Sequence, residues 1–93
     1  MKRSKKPKGK TIRFQYVADP GSAVCLVGTF NSWDPAAHPL RDNPRDGVYA
    51  AEVFLQVGRH EYKFIVNGNW HSDPNCSESV VNEYGTLNSV ITV

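Results

Sequence analysis

Two tryptophans stand in settings that suggest binding chemistry rather than burial in a core. Trp33 lies within the segment FNSWDP at 30–35, and Trp70 lies within NGNWH at 67–71. Each polar segment directly follows an apolar run typical of a strand, so folding alone explains neither ring well. An indole is a flat apolar platform whose negative face attracts the C–H groups of a sugar ring, while neighbouring amides and hydroxyls can bind the sugar's hydroxyls.

The alternative for each tryptophan is structural, namely a large aromatic ring that closes one end of the fold. In a sandwich of two sheets, the loops that follow strands can gather on one rim. We therefore expect the loops that carry Trp33 and Trp70 to meet on a rim, with Trp70 facing solvent. His71 is placed to hydrogen-bond a ligand, whereas His60 alternates with apolar residues and favours a packing role.

The sequence lacks the residue patterns on which most enzymes and metal sites depend. The three histidines are far apart, and neither His-x-x-x-His nor Cys-x-x-Cys occurs. Three aspartates between 34 and 46 share one loop, which does not set two carboxylates opposite each other as glycoside hydrolysis requires. There is no Gly-x-Ser-x-Gly elbow and no phosphate-binding glycine loop. We predict a non-catalytic protein with no metal and no cofactor.

Composition indicates one small all-β domain preceded by a basic tail. The chain has 93 residues, and its 7 Gly and 6 Pro are spread along it. Six of the 11 basic residues lie within positions 1–10, which leaves five basic and nine acidic residues in the remainder. The tail is predicted to be disordered, although it could contact nucleic acid or an anionic surface. The acidic body argues against a nucleic-acid groove.

Targeting signals and disulfides are not expected. No apolar stretch follows the basic tail, and nothing approaches the roughly 20 apolar residues of a membrane span. The sequence thus predicts no membrane association and makes the cytoplasm the default location. Cys25 lies in a strand-like run and Cys76 in a loop, and we expect both to be free thiols.

Alternating apolar residues predict six to eight short antiparallel strands between residues 11 and 93. Strands are expected at 11–17, 23–28, 48–55, 59–66 and 87–93, and 76–81 could be a strand or a loop. Prolines exclude a long helix from 30–46. This pattern is typical of an immunoglobulin-like β-sandwich. The predicted inward residues are Ile12, Phe14, Tyr16, Val24, Leu26, Tyr49, Ala51, Val53, Leu55, Tyr62, Phe64, Val66, Leu87, Ser89, Ile91 and Val93.

The strand at 59–66 runs into the strongest hairpin signal of the chain. Asn67-Gly68 suits a type I′ turn, because both of its central residues need a positive φ. With Tyr62 and Phe64 facing the core, Lys63 is predicted to lie on the outward face of this strand.

Four blocks of the sequence resemble the glycogen- and starch-binding carbohydrate modules. They are VCLVGTFNSW at 24–33, GRHEYKFIVNGNW at 58–70, DP at 73–74 and YGTLN at 84–88. Such modules occur in the β subunit of AMP-activated protein kinase and as the early-set domain of branching enzymes, isoamylases and pullulanases. The resemblance covers residues 11–93 and implies an early-set sandwich that binds α-1,4-linked glucan.

The resemblance also implies a set of binding residues. In the kinase-type module two tryptophans stack on glucose, and a lysine, an aliphatic residue, a threonine and an asparagine complete the site. The structural alternatives to a binding role are that Lys63 is a solvated charge and that Thr86 and Asn88 cap the closing strand. Tyr84 replaces the aliphatic residue, and could add a third stacking surface or change the preferred chain length. The matching positions are Trp33, Lys63, Trp70, Tyr84, Thr86 and Asn88.

The leading hypothesis is a non-catalytic module that binds glycogen, starch or maltooligosaccharides. Its partners would be the α-glucan and a glucan-processing enzyme or a kinase subunit. One alternative is a protein-interaction sandwich, or an accessory domain of a glycoside hydrolase family 13-type enzyme, with no sugar binding of its own. A third hypothesis is nucleic-acid binding through residues 1–10.

Overall fold

The predicted all-β architecture is confirmed. The computed structural model describes residues 8–42 and 46–93. They form β1 (Gly9–Val17), β2 (Val24–Gly28), a 3₁₀ turn (Thr29–Asn31), β3 (Arg41–Asp42), β4 (Val48–Gln56), β5 (Arg59–Val66), β6 (Asn69–His71), β7 (Ser79–Val81) and β8 (Leu87–Thr92). All strand pairs are antiparallel. Within these residues no helix is long and apolar enough to cross a membrane.

The strands form two sheets that pack face to face. The first sheet has the order β1-β4-β3, and the second has the order β2-β5-β8-β7, with β6 also paired to β5. Aromatic rings join the two sheets: the Phe14 and Tyr62 centroids lie 4.9 Å apart, and those of Tyr16 and Phe64 lie 5.1 Å apart. The core therefore sits between β1 and β4 on one side and β2 and β5 on the other.

The first sheet follows the predicted alternation. β1 pairs with β4 from Gly9 opposite Gln56 to Val17 opposite Val48, and the predicted apolar residues of both strands are buried or packed on the core. β1 begins at Gly9, two residues before the predicted start, because Gly9 and Lys10 continue the ladder along β4. The disorder predicted for residues 1–10 is therefore wrong at Gly9 and Lys10, while residues 1–7 lie outside the described residues.

The second sheet is built around β5. β2 occupies one edge of β5 from Tyr62 to Val66. The other edge pairs with β8 up to Tyr62 and with β6 from Phe64 onward. Lys63 therefore lies where this edge passes from one partner strand to the other.

The turn and the closing strand complete the second sheet. Asn67 (φ 51°) and Gly68 (φ 85°) connect β5 to β6 through two residues of positive φ, as the type I′ prediction requires. The segment at 76–81, which could have been a loop, contains strand β7. Both cysteines are free thiols, as predicted.

One predicted face of β8 needs correction. Ser89 is buried, and Ile91 and Val93 pack on the core as expected, but Leu87 is exposed. Asn88 and Val90, on the opposite face, are buried as well. This strand is covered on both faces along part of its length, which simple alternation does not reveal.

Candidate functional site

An open cavity of about 1090 Å³ lies on the outer face of the second sheet. Its floor includes Glu61 and Lys63, whose neighbours Tyr62 and Phe64 point into the core. Trp33 and Trp70 do meet, but they meet on this outer face and not on a rim of the sandwich as predicted. The cavity, called the groove below, is lined by all six predicted residues: Trp33, Lys63, Trp70, Tyr84, Thr86 and Asn88.

Trp70 belongs to a strand and not to a loop, which corrects the sequence interpretation. It sits in β6 directly opposite Ile65, on the outward face, and it is 51% exposed. Alternation turns its neighbour His71 to the other face, where the His71 and Tyr16 ring centroids lie 6.1 Å apart. His71 also contributes to the lining of the groove, and its role in hydrogen bonding a ligand stays a prediction.

The end of β6 is anchored to the core by a buried tyrosine. Tyr62 donates its phenolic hydrogen to Asp73 Oδ2 at 2.7 Å, and the Asp73 amide donates to Ser89 Oγ at 2.8 Å. Burial, and next the hydrogen bond to Asp73, raise the pKa of Tyr62 well above its usual range. The phenol therefore stays protonated and keeps donating, so the chain leaving Trp70 is held in place.

Trp33 is presented by an irregular loop with a strained backbone. Ser32 (φ 57°) and Trp33 (φ 58°) are consecutive non-glycine residues in the left-handed region, which costs of order 1–3 kcal/mol each. Asn31 offsets this strain with its side chain: Oδ1 accepts from the Gly28 amide at 3.0 Å, and Nδ2 donates to Leu26 O at 3.0 Å. The Trp33 amide itself donates to Gly28 O at 3.0 Å.

The two indoles form an inclined pair along one wall of the groove. Their ring centroids lie 6.5 Å apart, and their planes are inclined by 37°. The two platforms together therefore make a bent apolar surface rather than a flat one. Tyr84 adds a third aromatic ring at the tip of the turn between β7 and β8, where it is 82% exposed.

Lys63 forms part of the floor and is not a solvated charge. It is only 7% exposed, and its Nζ donates to Thr86 Oγ1 at 2.9 Å. Within residues 8–42 and 46–93, the single ion pair joins Arg59 to Glu61, so Lys63 has no carboxylate partner there. An ammonium carries three N–H groups, and in the described part of the chain only one of them is used, in the bond to Thr86.

Asn88 is a second buried polar group of the floor. Its Nδ2 donates to Glu61 Oε1 at 3.1 Å, while Arg59 donates to Glu61 Oε2 at 2.8 Å. The hydrogen bond from Asn88 and then the contact with Arg59 lower the pKa of Glu61. Glu61 thus stays ionised and holds the Asn88 amide in one orientation, a role different from the strand cap that was the alternative.

Among the lining residues that sequence reasoning missed, Glu61 and Asn82 make hydrogen bonds to the floor of the groove. Glu61 lies two residues before Lys63 on the same outward face, so alternation could have identified it. Asn82 accepts from the amides of Tyr84 and Thr86, a local turn pattern that Asn commonly adopts. Its further contacts reach the side chains of Thr86 and Asn88, four and six positions along the chain. They depend on how β7 pairs with β8, which no motif at Asn82 indicates.

The groove can bind a neutral ligand that has both apolar faces and hydroxyl groups. Aromatic rings supply the wall, while Lys63, Thr86 and Asn88 supply hydrogen bonds from the floor. In the described part of the chain, no three His, Cys, Asp or Glu side chains cluster as metal ligands would. A β-sandwich with an aromatic platform beside a polar floor is the architecture of a carbohydrate-binding module.

Comparison with known proteins specifies which kind of module this is. A family profile described as the glycogen recognition site of AMP-activated protein kinase matches residues 10–93, and the chain belongs to this family. The resemblance found in the sequence is thereby confirmed.

Relatives in this family include β subunits of the kinase. The chain is 40% identical over 74 residues to 5′-AMP-activated protein kinase subunit beta-1 of Sus scrofa, and the matched segment covers 78% of this chain and 56% of that protein. It is 42% identical over 74 residues to subunit beta-1 of Bos taurus, covering 78% and 25%. For subunit beta-2 of Homo sapiens the identity is 39% over 77 residues, covering 82% and 26%. The chain therefore spans between a quarter and just over half of the length of these relatives.

Proposed function

We propose that the chain binds α-1,4-linked glucan, without catalysis, by stacking glucose rings on Trp33 and Trp70. The observation that carries this proposal is the inclined indole pair, 6.5 Å apart at 37°, beside the polar floor. Membership in a family named for glycogen recognition supports the same ligand class. Glycogen, starch and maltooligosaccharides all present this linkage.

The inclination of the two rings favours an α-linked chain over a flat β-linked one. Successive glucose units of an α-1,4 chain turn relative to one another, so their apolar faces point in different directions. A flat β-1,4 ribbon would instead fit platforms that lie in one plane. The bent wall made by Trp33 and Trp70 matches the curved chain.

The floor supports this ligand through donors. Lys63 keeps two N–H groups for a ligand, and Asn88 keeps the second hydrogen of its Nδ2 after its bond to Glu61. Glucose hydroxyls and ring oxygens can accept all of these. Glu61 and Glu83 also line the groove, and their carboxylates disfavour an anionic ligand. A neutral sugar avoids this repulsion.

Affinity for a single chain is expected to be weak. Stacking on an aromatic ring is worth roughly 1–3 kcal/mol, as measured for nucleobases, and association costs offset part of it. We expect a dissociation constant on the order of tens of micromolar to millimolar for a maltooligosaccharide. Polymeric glucan strengthens the attachment only where several modules act together.

Native gel electrophoresis in gels that contain glycogen tests the proposal. The wild type should be retarded, and Trp33→Ala and Trp70→Ala should each migrate faster in the glycogen gel. Phe54→Ala is the matched control, since Phe54 is an aromatic residue of similar exposure, 49% against 51% for Trp70, on the first sheet. Equal mobility of the wild type and both tryptophan variants would contradict the proposal.

Assembly with a kinase subunit or a glucan-processing enzyme is the second function that we propose. The relatives named above are kinase subunits. Val17 and Phe54 expose apolar surface on the first sheet, away from the groove. A Phe54→Asp variant should then lose co-purification with the kinase catalytic subunit while it keeps its retardation by glycogen.

The cytoplasmic location of the protein stays a prediction.

A further inference from the structure

We infer that Asn82 is a positioning residue for glucan binding. It orients the side chains of Thr86 and Asn88 so that both donate hydrogen bonds into the groove. The inference rests on the proposed function and deepens it. Asn82 directly follows β7 and begins the exposed turn that carries Tyr84. Its side chain contacts two residues of the polar floor, Thr86 and Asn88, although it is neither aromatic nor charged.

The amide of Asn82 uses its full hydrogen-bonding capacity. Oδ1 accepts from the Tyr84 amide at 2.9 Å and from the Thr86 amide at 3.1 Å. Nδ2 donates to Thr86 Oγ1 at 2.7 Å and to Asn88 Oδ1 at 2.9 Å. Because two backbone N–H groups select the oxygen, the amide has one satisfactory orientation.

This orientation decides what Thr86 can offer to a ligand. Thr86 Oγ1 accepts from Asn82 and also from Lys63 Nζ at 2.9 Å. A hydroxyl has two acceptor lone pairs and one hydrogen, so with both lone pairs occupied only its hydrogen remains. Thr86 therefore faces the groove as a donor.

The same orientation continues into Asn88. Its Oδ1 accepts from Asn82, and its Nδ2 donates to Glu61 Oε1 at 3.1 Å. These two contacts hold the Asn88 amide from both ends and leave the second hydrogen of Nδ2 for a ligand. The centre of the floor thus presents donors, and a ligand must meet it with acceptor oxygens.

Two substitutions separate this role from simple support of the turn. Asn82→Asp keeps an oxygen for the amides of Tyr84 and Thr86, so the turn persists, but the carboxylate has no hydrogen for Thr86 or Asn88. The Thr86 hydroxyl then donates to Asp instead of to the ligand. Asn82→Ala removes both sets of bonds.

Isothermal titration with maltoheptaose should show about tenfold weaker binding for both variants, the effect expected for losing one or two well-placed hydrogen bonds. Asn82→Asp should keep a melting temperature close to that of the wild type, and Asn82→Ala should melt lower. Asn75→Ala is the control and should change neither quantity. Asn75 is an exposed loop asparagine outside the groove, and in the described part of the chain only its backbone makes a hydrogen bond.

Recovery of wild-type affinity by Asn82→Asp would overturn the inference, because support of the turn would then suffice. NMR spectra without ligand provide an independent readout: the side-chain amide signals of Asn88 should shift in Asn82→Asp, while the backbone amide signals of Tyr84 and Thr86 stay near their wild-type positions. Unchanged Asn88 signals would also overturn it. Failure of the wild type to bind maltoheptaose would contradict the proposed function, and the ligand-free spectra would still decide how Asn82 orients Asn88.

Discussion

Trp33 and Trp70 reach the same groove by different routes. Trp70 sits in a regular strand that follows a two-residue turn, and each residue of that turn suits its conformation. Trp33 follows a single 3₁₀ turn and adopts, with Ser32, a strained left-handed backbone that the Asn31 side chain stabilises. One ring is thus placed by local chain chemistry, and the other by hydrogen bonds that offset strain.

The largest effect is expected from Asn31→Ala, which breaks the Trp33 arrangement. Asn31 bonds to Gly28 N and Leu26 O, and its Nδ2 lies 2.8 Å from His38 Nδ1. Losing these part-buried contacts should lower the free energy of unfolding by about 2–3 kcal/mol and weaken maltoheptaose binding. Urea denaturation and titration measure the two effects.

Asn69→Ala is the control for this substitution. Asn69 lies beside Trp70 in β6 and is exposed, and its side chain makes no hydrogen bond within the described residues. It should leave stability nearly unchanged. An equal loss of stability in both variants would show that the two tryptophan segments are held in the same way.

Gly68→Ala perturbs the other route, the turn before Trp70. Gly68 has φ 85° with open space around a would-be Cβ, so the cost is backbone strain alone, about 1–2 kcal/mol. Gly21→Ala is the matched control, since Gly21 has φ 86° and is equally open but lies in another turn. Both should lose similar stability in urea, and only Gly68→Ala should also lose glucan affinity. Equal affinities would mean that the turn does not position Trp70.

Ser32→Asn should relieve part of the strain beside Trp33. Asn tolerates the left-handed region better than Ser, so we expect a gain of a few tenths to about 1 kcal/mol in the free energy of unfolding. Thermal denaturation would detect it. A loss of stability would indicate that the left-handed backbone at Ser32 carries no strain.

The smallest effect concerns Glu61 in the floor of the groove and depends on pH. Asn88 and Arg59 hold the pKa of Glu61 below its ordinary value of 4.5. A lowered folded-state pKa stabilises the fold above the unfolded-state pKa, and this contribution disappears as the pH falls through the folded-state pKa. Glu61→Gln should therefore show a shallower loss of stability between pH 5 and pH 3 than the wild type. Parallel curves for the two proteins would contradict the lowered pKa.

Sequence patterns predict most of the fold because the physical causes are local. Alternation identifies the core faces of β1, β4 and β5, and Asn67-Gly68 predicts the hairpin. The same reasoning fails at β8, where Asn88 and Val90 are covered on the face that alternation assigns to solvent. It also places Trp70 in a loop, because three residues of strand are too few to show a period.

What the sequence alone determined is the set of strands, the Asn67-Gly68 turn and the two tryptophans that folding poorly explains. Only the tertiary structure decided where these groups meet. β6 and β8 share one edge of β5 with Lys63 at their junction, and Asn88 bonds to Glu61 across 27 positions of the chain. The physical reason is that strand order and such contacts depend on which distant segments pack together, and no local periodicity encodes that choice.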